Sequence, residues 1–354
     1  MSRVVRFHQH GGPEVLRIEA VEVALPGPGE VRIAVKALGL NRAEALLRAG
    51  AYIESPETFP AGLGLEAAGV VDAVGEGVAG IAPGDAVSVV PPTSMLRWPA
   101  YGEQVTFPAA LVVRHPSALS WEEAAATWMP YLTAYGALVD IARLSKGDHV
   151  VITAASSSVG LAAIQIARRV GAVPIAVTRT GAKRDALQAH GAAHVVATAE
   201  EDLAARLHAI TRGQGVRVVL DPIGGPIFAP LTDSMSHGGI LIEYGGLSPE
   251  PTPFPLFAVL ARSLTLRGYL VHELLNDPVR LDAARRFIVD GLTAGALRPV
   301  IARTFDFDQI VEAHRYMESG EQFGKIVVRV PGTGAAEVGH PCTARCASNA
   351  YNRE

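Results

Sequence analysis

From residue 149 to residue 270 the chain alternates short apolar runs with helical stretches, and this rhythm constrains its fold more than any other feature. Apolar runs over 149–153, 175–178, 194–196, 216–220, 240–244 and 264–270 predict strands. Between them, 159–170, 182–190, 201–212, 227–235 and 256–261 predict helices. Strands that are apolar along their whole length are buried on both faces. Joined by helices, they form a doubly wound α/β fold, a parallel sheet wrapped by helices on each side.

Residues 1–122 read differently. The stretch 31–37 alternates with period two, 67–75 is a glycine-bounded β-like run, and within 78–90 the turn Pro83-Gly84-Asp85 precedes a further strand. Short strands with this punctuation predict a small, barrel-like β domain. Ser120, three residues before Glu123, has the spacing of a helix capping box and marks the change of pattern. At about 150 residues per domain, 354 residues make two domains. Beyond 270 a helix (281–292), a strand (300–305), a helix (307–319) and a strand (325–330) break the rhythm. These are expected to return and complete the first domain. The polar stretch 331–354 is expected to be a flexible tail.

Composition narrows the function. With 31 Lys and Arg against 35 Asp and Glu, the net charge of −4 gives no general attraction to nucleic acid. Cys342 and Cys346 are the only cysteines, so the body has no disulfide framework and no thiolate metal site. His340 beside them reads as part of a solvated tail. The start, Met1-Ser2-Arg3-Val4-Val5-Arg6, lacks the apolar core of a signal peptide. The uncharged run between His149 and Arg168 is too polar at its centre to span a membrane. A soluble, cytoplasmic protein acting on a small molecule is expected.

The first βα unit carries the chemistry. Its strand runs into Ala155-Ser156-Ser157-Ser158-Val159-Gly160 and then a helix, where a dinucleotide fold places its phosphate turn. The G-x-G-x-x-G spacing is kept with Ala155 and Ser157 at the first two glycine positions and Gly160 at the third. Small residues permit close approach, and the Ser157 and Ser158 hydroxyls can donate to phosphate. An ordinary strand-to-helix turn is the alternative. The next strand ends at Thr178-Arg179-Thr180, with Lys183 and Arg184 following. An NAD site usually places an acid here for the ribose 2′-hydroxyl. Arg179 as a bidentate partner and Lys183 as a second charge suit a 2′-phosphate instead, so NADP(H) is expected over NAD(H). A solvated basic helix start is the competing reading.

Several stretches together resemble the medium-chain dehydrogenase/reductase superfamily, in its zinc-free, quinone oxidoreductase-like branch. They are Gly39-Leu40-Asn41-Arg42-Ala43-Glu44, Arg48-Ala49-Gly50-Ala51-Tyr52, Gly62-Leu63-Gly64-Leu65-Glu66-Ala67-Ala68-Gly69 and Val74-Gly75-Glu76-Gly77-Val78. Leu132-Thr133-Ala134-Tyr135, Asp221-Pro222-Ile223-Gly224-Gly225 and Gly324-Lys325-Ile326-Val327-Val328 follow. The resemblance implies a GroES-like catalytic domain from both chain ends (1–122 and 271–330) around a Rossmann NADP(H)-binding domain (123–270). It implies a homodimer or homotetramer. Asn41 and Tyr52 would lie beside nicotinamide and substrate as the catalytic pair. Thr133 would reach the nicotinamide or its ribose, Tyr244 and Gly245 would line the cleft, Val271 would offer backbone to the carboxamide, and Lys325 would approach the phosphates. Zinc-dependent members carry Cys and His where this chain has Asn41 and Leu65, so no zinc is expected.

The expected activity is NADPH-dependent hydride transfer to a quinone or an α,β-unsaturated carbonyl. A zinc-free alcohol or aldehyde dehydrogenase and a non-catalytic NADPH-binding protein are the alternatives. Tyr52 is the candidate proton donor to an enolate, and Glu66 reads as a structural carboxylate. Trp98, Tyr101, Trp128 and Tyr131 offer a flat apolar wall, or plain core.

Overall fold

The computed structural model describes residues 1–331. The tail expected over 331–354, with His340, Cys342 and Cys346, therefore lies outside the described residues apart from Pro331. Six strands, His149–Ile152, Val173–Thr178, His194–Ala197, Val216–Asp221, Met235–Glu243 and Thr265–Gly268, form one parallel sheet. Counted along the chain, their order across the sheet is third, second, first, fourth, fifth, sixth. The direction of winding reverses between the first and fourth strands, which opens a crevice at their carboxyl ends.

Alternation along these strands feeds two cores. Val151, Ile175, Val177, Val196, Val219 and Leu241 enter one, with Leu203, Leu207, Phe228 and Leu231 from helices on that face. Val150, Ile152, Ala176, Val218, Leu220 and Ile242 enter the other, under the helices Trp128–Tyr135, Ser158–Val170 and Pro278–Thr293. Period two in a strand buried on both sides has this consequence.

Two expectations change. The fifth strand starts at Met235, where 240 was expected, and the helix before it ends at Asp233. Met235 pairs with Val216 and Ile240 with Val218, and the extra residues between them bulge at Gly238, whose φ is +70°. The helix Pro278–Thr293 buries Leu281, Ala284, Ile288 and Leu292 in the core of the parallel sheet. These four positions make one helical stripe. A domain boundary at 271 therefore cuts through a packed unit, and the chain rejoins the β-rich domain at Ile301.

There, a second sheet orders the strands Ile301–Asp306, Lys325–Arg329, Glu30–Gly39, Glu66–Val74, Ala86–Val89 and Val112–Arg114, with Gln104–Pro108 also paired to Glu30–Gly39. Val327 pairs with Gly39 and Arg329 with Ala37, so the late strand completes the early sheet. Ser2–Phe7, Leu16–Val21 and Ala61–Gly62 form a small third sheet. Among the described residues no helix is long and apolar enough to cross a membrane.

Gly136 joins the helix Trp128–Tyr135 to the turn that follows, and a Cβ there would stand 1.9 Å from the Tyr269 hydroxyl. Gly136→Ala should cost about 1–3 kcal/mol by overpacking, read as a lower denaturation midpoint. Adding Tyr269→Phe should restore part of the loss. An unchanged midpoint in the single variant contradicts this packing.

Candidate coenzyme and active site

The phosphate turn is built as a capped helix start. The Ser157 Oγ accepts from the Gly160 N–H at 3.0 Å, at the N-cap of the helix Ser158–Val170. Ser158 and Val159 occupy its first turn, where N–H groups have no intrahelical partner. A Cβ on Gly160 would lie 2.6 Å from the Ala155 carbonyl, so glycine sets how closely the helix approaches its strand. The turn also docks against the late segment: the Gly324 N–H donates to the Ser156 carbonyl at 2.9 Å, and Ser157 forms a bridge with Gly324. Phosphate oxygens fit this cradle of small residues and free backbone donors.

Thr178 ends the second strand, half-buried. Arg179 beyond it is exposed, and its guanidinium makes no hydrogen bond among the described residues. Lys183 is close enough to feel that charge, but its ammonium donates to the Ser156 Oγ at 3.2 Å and the Gln322 carbonyl at 2.9 Å. Burial first, then Arg179, holds the Lys183 ammonium below the usual lysine range. Lys183 thus ties the turn at Ser156 to Gln322, while Arg179 remains exposed. Tyr244 and Gly245 follow the fifth strand, and the Tyr244 N–H donates to the Asp221 carbonyl at 3.0 Å. Thr133 is buried on the helix Trp128–Tyr135, with its hydroxyl 3.6 Å from the Met129 sulfur. The Val271 carbonyl accepts from Leu274 and Leu275, which leaves its N–H as the group to offer.

Asn41 lies in a different environment from the one expected. It caps the helix Arg42–Ala49 in a reciprocal box with Glu44. Its Nδ2 lies 3.2 Å from the Gly39 carbonyl, Glu44 Oε1 and Glu66 Oε2. Its Oδ1 accepts from the Lys325 ammonium at 2.6 Å. Its amide is therefore engaged inside the protein on both sides. Lys325, expected to approach the phosphates, has its ammonium buried against Glu66 and Asn41. A buried carboxylate demands a countercharge, and Lys325 supplies it. Glu66 also accepts from the Met129 N–H at 2.8 Å, a structural role linking the two domains.

Glu44 was not singled out from the sequence, although its spacing from Asn41 is that of a capping box. It is fully buried and accepts from Asn41 N at 2.7 Å, Leu65 N at 3.0 Å and the Tyr101 hydroxyl. Burial pushes its carboxyl up to about 7, against the pull of Tyr101, Asn41 and Lys325. Behind it, His314 lies 3.4 Å from the Tyr101 hydroxyl, and burial drives its imidazole down to about 3, so it stays neutral. Tyr52 is half-buried at the edge of this core; burial, then Glu54 and Glu44, push its phenol up to about 12. Of the proposed aromatic wall, Tyr101, Trp128 and Tyr131 are core residues, and Trp98 alone is half-buried.

The residues at the Asn41 position do not fit a zinc ion. Leu65 is apolar and buried, Asn41 and Glu66 already bind an ammonium, and no group of three His, Cys, Asp or Glu able to hold a metal occurs among the described residues.

Comparison with known proteins agrees with this architecture. Residues 27–117 match the family model for an alcohol dehydrogenase GroES-like domain, and residues 158–286 match that for a zinc-binding dehydrogenase. Quinone oxidoreductase 1 of Escherichia coli is 35% identical over 71% of this chain and 75% of its own length. A 2-haloacrylate reductase of Burkholderia is 30% identical, covering 91% and 97%. The crystal structure of Escherichia coli quinone oxidoreductase complexed with NADPH superposes with a TM-score of 0.84 at 30% identity, covering 92% of this chain and 99% of that one. The chain belongs to the medium-chain dehydrogenase/reductase superfamily, quinone oxidoreductase-like branch. As a member it is an NAD(P)H-dependent oxidoreductase, with a GroES-like sheet domain and a Rossmann-like domain.

Lys325→Met should destabilise this oxidoreductase by about 3–5 kcal/mol in chemical denaturation, because Glu66 is left charged and unpaired. Adding Glu66→Gln should recover much of the loss. A double variant no more stable than the single one contradicts the pairing.

Proposed function

We propose that the protein transfers hydride from NADPH to a quinone or an α,β-unsaturated carbonyl, without zinc. The observation that carries the coenzyme choice is the unengaged Arg179 guanidinium beside Lys183, at the strand end that meets the adenosine ribose in this fold. Bidentate capture of a 2′-phosphate is the chemistry such a pair performs. Ser157, Ser158, Val159 and Gly160 cradle the diphosphate. Thr178 backs the adenosine end, and Thr133, Tyr244, Gly245 and the Val271 N–H line the nicotinamide end. A bound nicotinamide supplies the hydride, and the protein supplies orientation and, for an enone, a proton.

Tyr52 is the proposed donor. With its phenol held up to about 12 it stays protonated across the physiological range. It can then hydrogen-bond an oxygen on which enolate charge grows. Asn41 is fixed by Lys325, Glu44 and Glu66, so we assign it the role of shaping the pocket floor. A quinone takes its protons from water and needs no such donor. The reading includes a cytoplasmic location and a homodimer or homotetramer, with the exposed edge strand Thr265–Gly268 as the surface open to pairing.

Arg179→Glu with Lys183→Glu should weaken NADPH binding by about 1.5–3 kcal/mol per lost charged contact, and NADH binding little, in fluorescence titrations. Equal losses for both coenzymes contradict a 2′-phosphate site. Tyr52→Phe should lower kcat on 2-alkenals about 10²-fold while sparing quinones. Unchanged alkenal turnover removes Tyr52 from the chemistry.

A further inference from the structure

Glu243 ends the fifth strand of the parallel sheet directly after the apolar run Ile240-Leu241-Ile242. Both of its carboxyl oxygens are shielded from water, and neither receives a complete hydrogen bond among the described residues. Its register partner on the adjacent parallel strand is Asp221, fully buried at the end of the fourth strand, so the two side chains leave the sheet on the same face. Asp221 is well supplied with donors. Its Oδ1 accepts from the Thr153 hydroxyl and from Ile223 N at 3.2 Å, and its Oδ2 from Gly224 N at 2.9 Å. Three donors fill three of the four lone-pair positions of the Asp221 carboxyl and leave one open. Two ionised carboxylates side by side in this interior would repel, and the Glu243 oxygens would remain bare. One proton on Glu243, directed at Asp221, removes both penalties.

We propose that Glu243 is a carboxylic acid donating to the Asp221 carboxylate, and that this pair is a positioning element for the coenzyme crevice. Burial, then the Asp221 charge and hydrogen bond, push the Glu243 carboxyl up to about 9, with the Gly245 N–H opposing. Beside the pair lie the Thr153 hydroxyl, which donates to Asp221, and the Tyr244 phenol, which burial holds neutral. Asp221 thereby joins three strand ends. Thr153 leads into the phosphate turn, Ile223 and Gly224 belong to the loop after the fourth strand, and Glu243 precedes Tyr244 and Gly245. In its acid form the pair carries one negative charge beside the place where an anionic diphosphate would bind, and above the Glu243 transition it carries two.

The inference rests on the crevice holding the coenzyme, and the test separates the two claims. Glu243→Gln keeps an N–H donor toward Asp221 but cannot titrate. First, the infrared difference spectrum of the unliganded wild type between pH 8 and pH 10 should show loss of a carboxylic acid C=O stretch, absent in E243Q. That window lies above the Glu44 transition. Second, the melting temperature of the wild type relative to E243Q should fall as pH rises from the ordinary glutamate value of 4.5 to about 9, because the folded state holds a proton that the unfolded state has lost. Third, NADH and NADPH should both weaken several-fold more in the wild type than in E243Q between pH 8 and pH 10. Loss of Lys183 charge is common to both proteins and cancels in that comparison. A stretch that persists in E243Q, or a melting difference that does not change with pH, overturns the shared proton. A persistent shared proton with NADH affinity that changes equally in wild type and E243Q overturns the positioning role. Absence of binding at any pH overturns the crevice reading together with that role, and the first two measurements then stand alone for the pair. If E243Q does not fold, the wild-type band decides: no carboxylic acid signal lost above pH 8 refutes the proposal.

Discussion

The buried contact between Lys325 and Glu66 fixes how the two halves of the molecule meet. Lys325 opens the strand that pairs with Glu30–Gly39, and Glu66 opens the neighbouring strand on the other side. The second Glu66 oxygen holds the Met129 N–H, at the start of a helix in the coenzyme domain. One residue earlier, Gly324 grips the Ser156 carbonyl of the phosphate turn. A Cβ at Gly324 would lie 2.3 Å from the Val300 carbonyl, and its φ of +105° also demands glycine. Two consecutive residues thus tie the turn, the catalytic sheet and the linking helix together. Such a buried ion pair contributes little net stability, since desolvation offsets most of its attraction, but it admits few alternative geometries.

The same pair explains the chemistry of the site. The position where a metal site of this family would need Cys and His carries Asn41 and Leu65, and the cation of the network is the protein's own ammonium. Asn41 is held from both sides by groups of the chain, so its amide is a fixed surface. On the proposed reading the Tyr52 phenol is the proton donor above this floor, an arrangement that suits reduction of a polarised double bond more than oxidation of an alcohol, where a proton has to be removed.

The periodic features of this structure were legible in the sequence. All six parallel strands were found from apolar runs, because burial on both faces leaves a signature that needs no partner to be read. The Ser120–Glu123 capping box appears as read, with Ser120 Oγ accepting from Glu123 N at 3.2 Å. The same spacing in Asn41 and Glu44 went unread, since Asn41 had been assigned to a ligand. The role of Lys325 could not be read locally: its partner lies 259 residues away, and the strand pairing that joins them is set by tertiary packing. The helix Pro278–Thr293 was recognised as a helix but placed with the wrong domain, because its apolar stripe specifies burial and not which core receives it. Glu243 did leave a local signal, a carboxyl closing a run of Ile and Leu, whose meaning needed Asp221 in view.

A crystal structure of the protein soaked with NADPH tests the central claim most directly. The account predicts density for a diphosphate against the first turn of the helix Ser158–Val170 and a 2′-phosphate within hydrogen-bond reach of Arg179, with the Lys325–Glu66 contact unbroken beneath. A crevice that remains filled by side chains at saturating NADPH, or a coenzyme whose 2′-phosphate points to solvent away from Arg179, would contradict it.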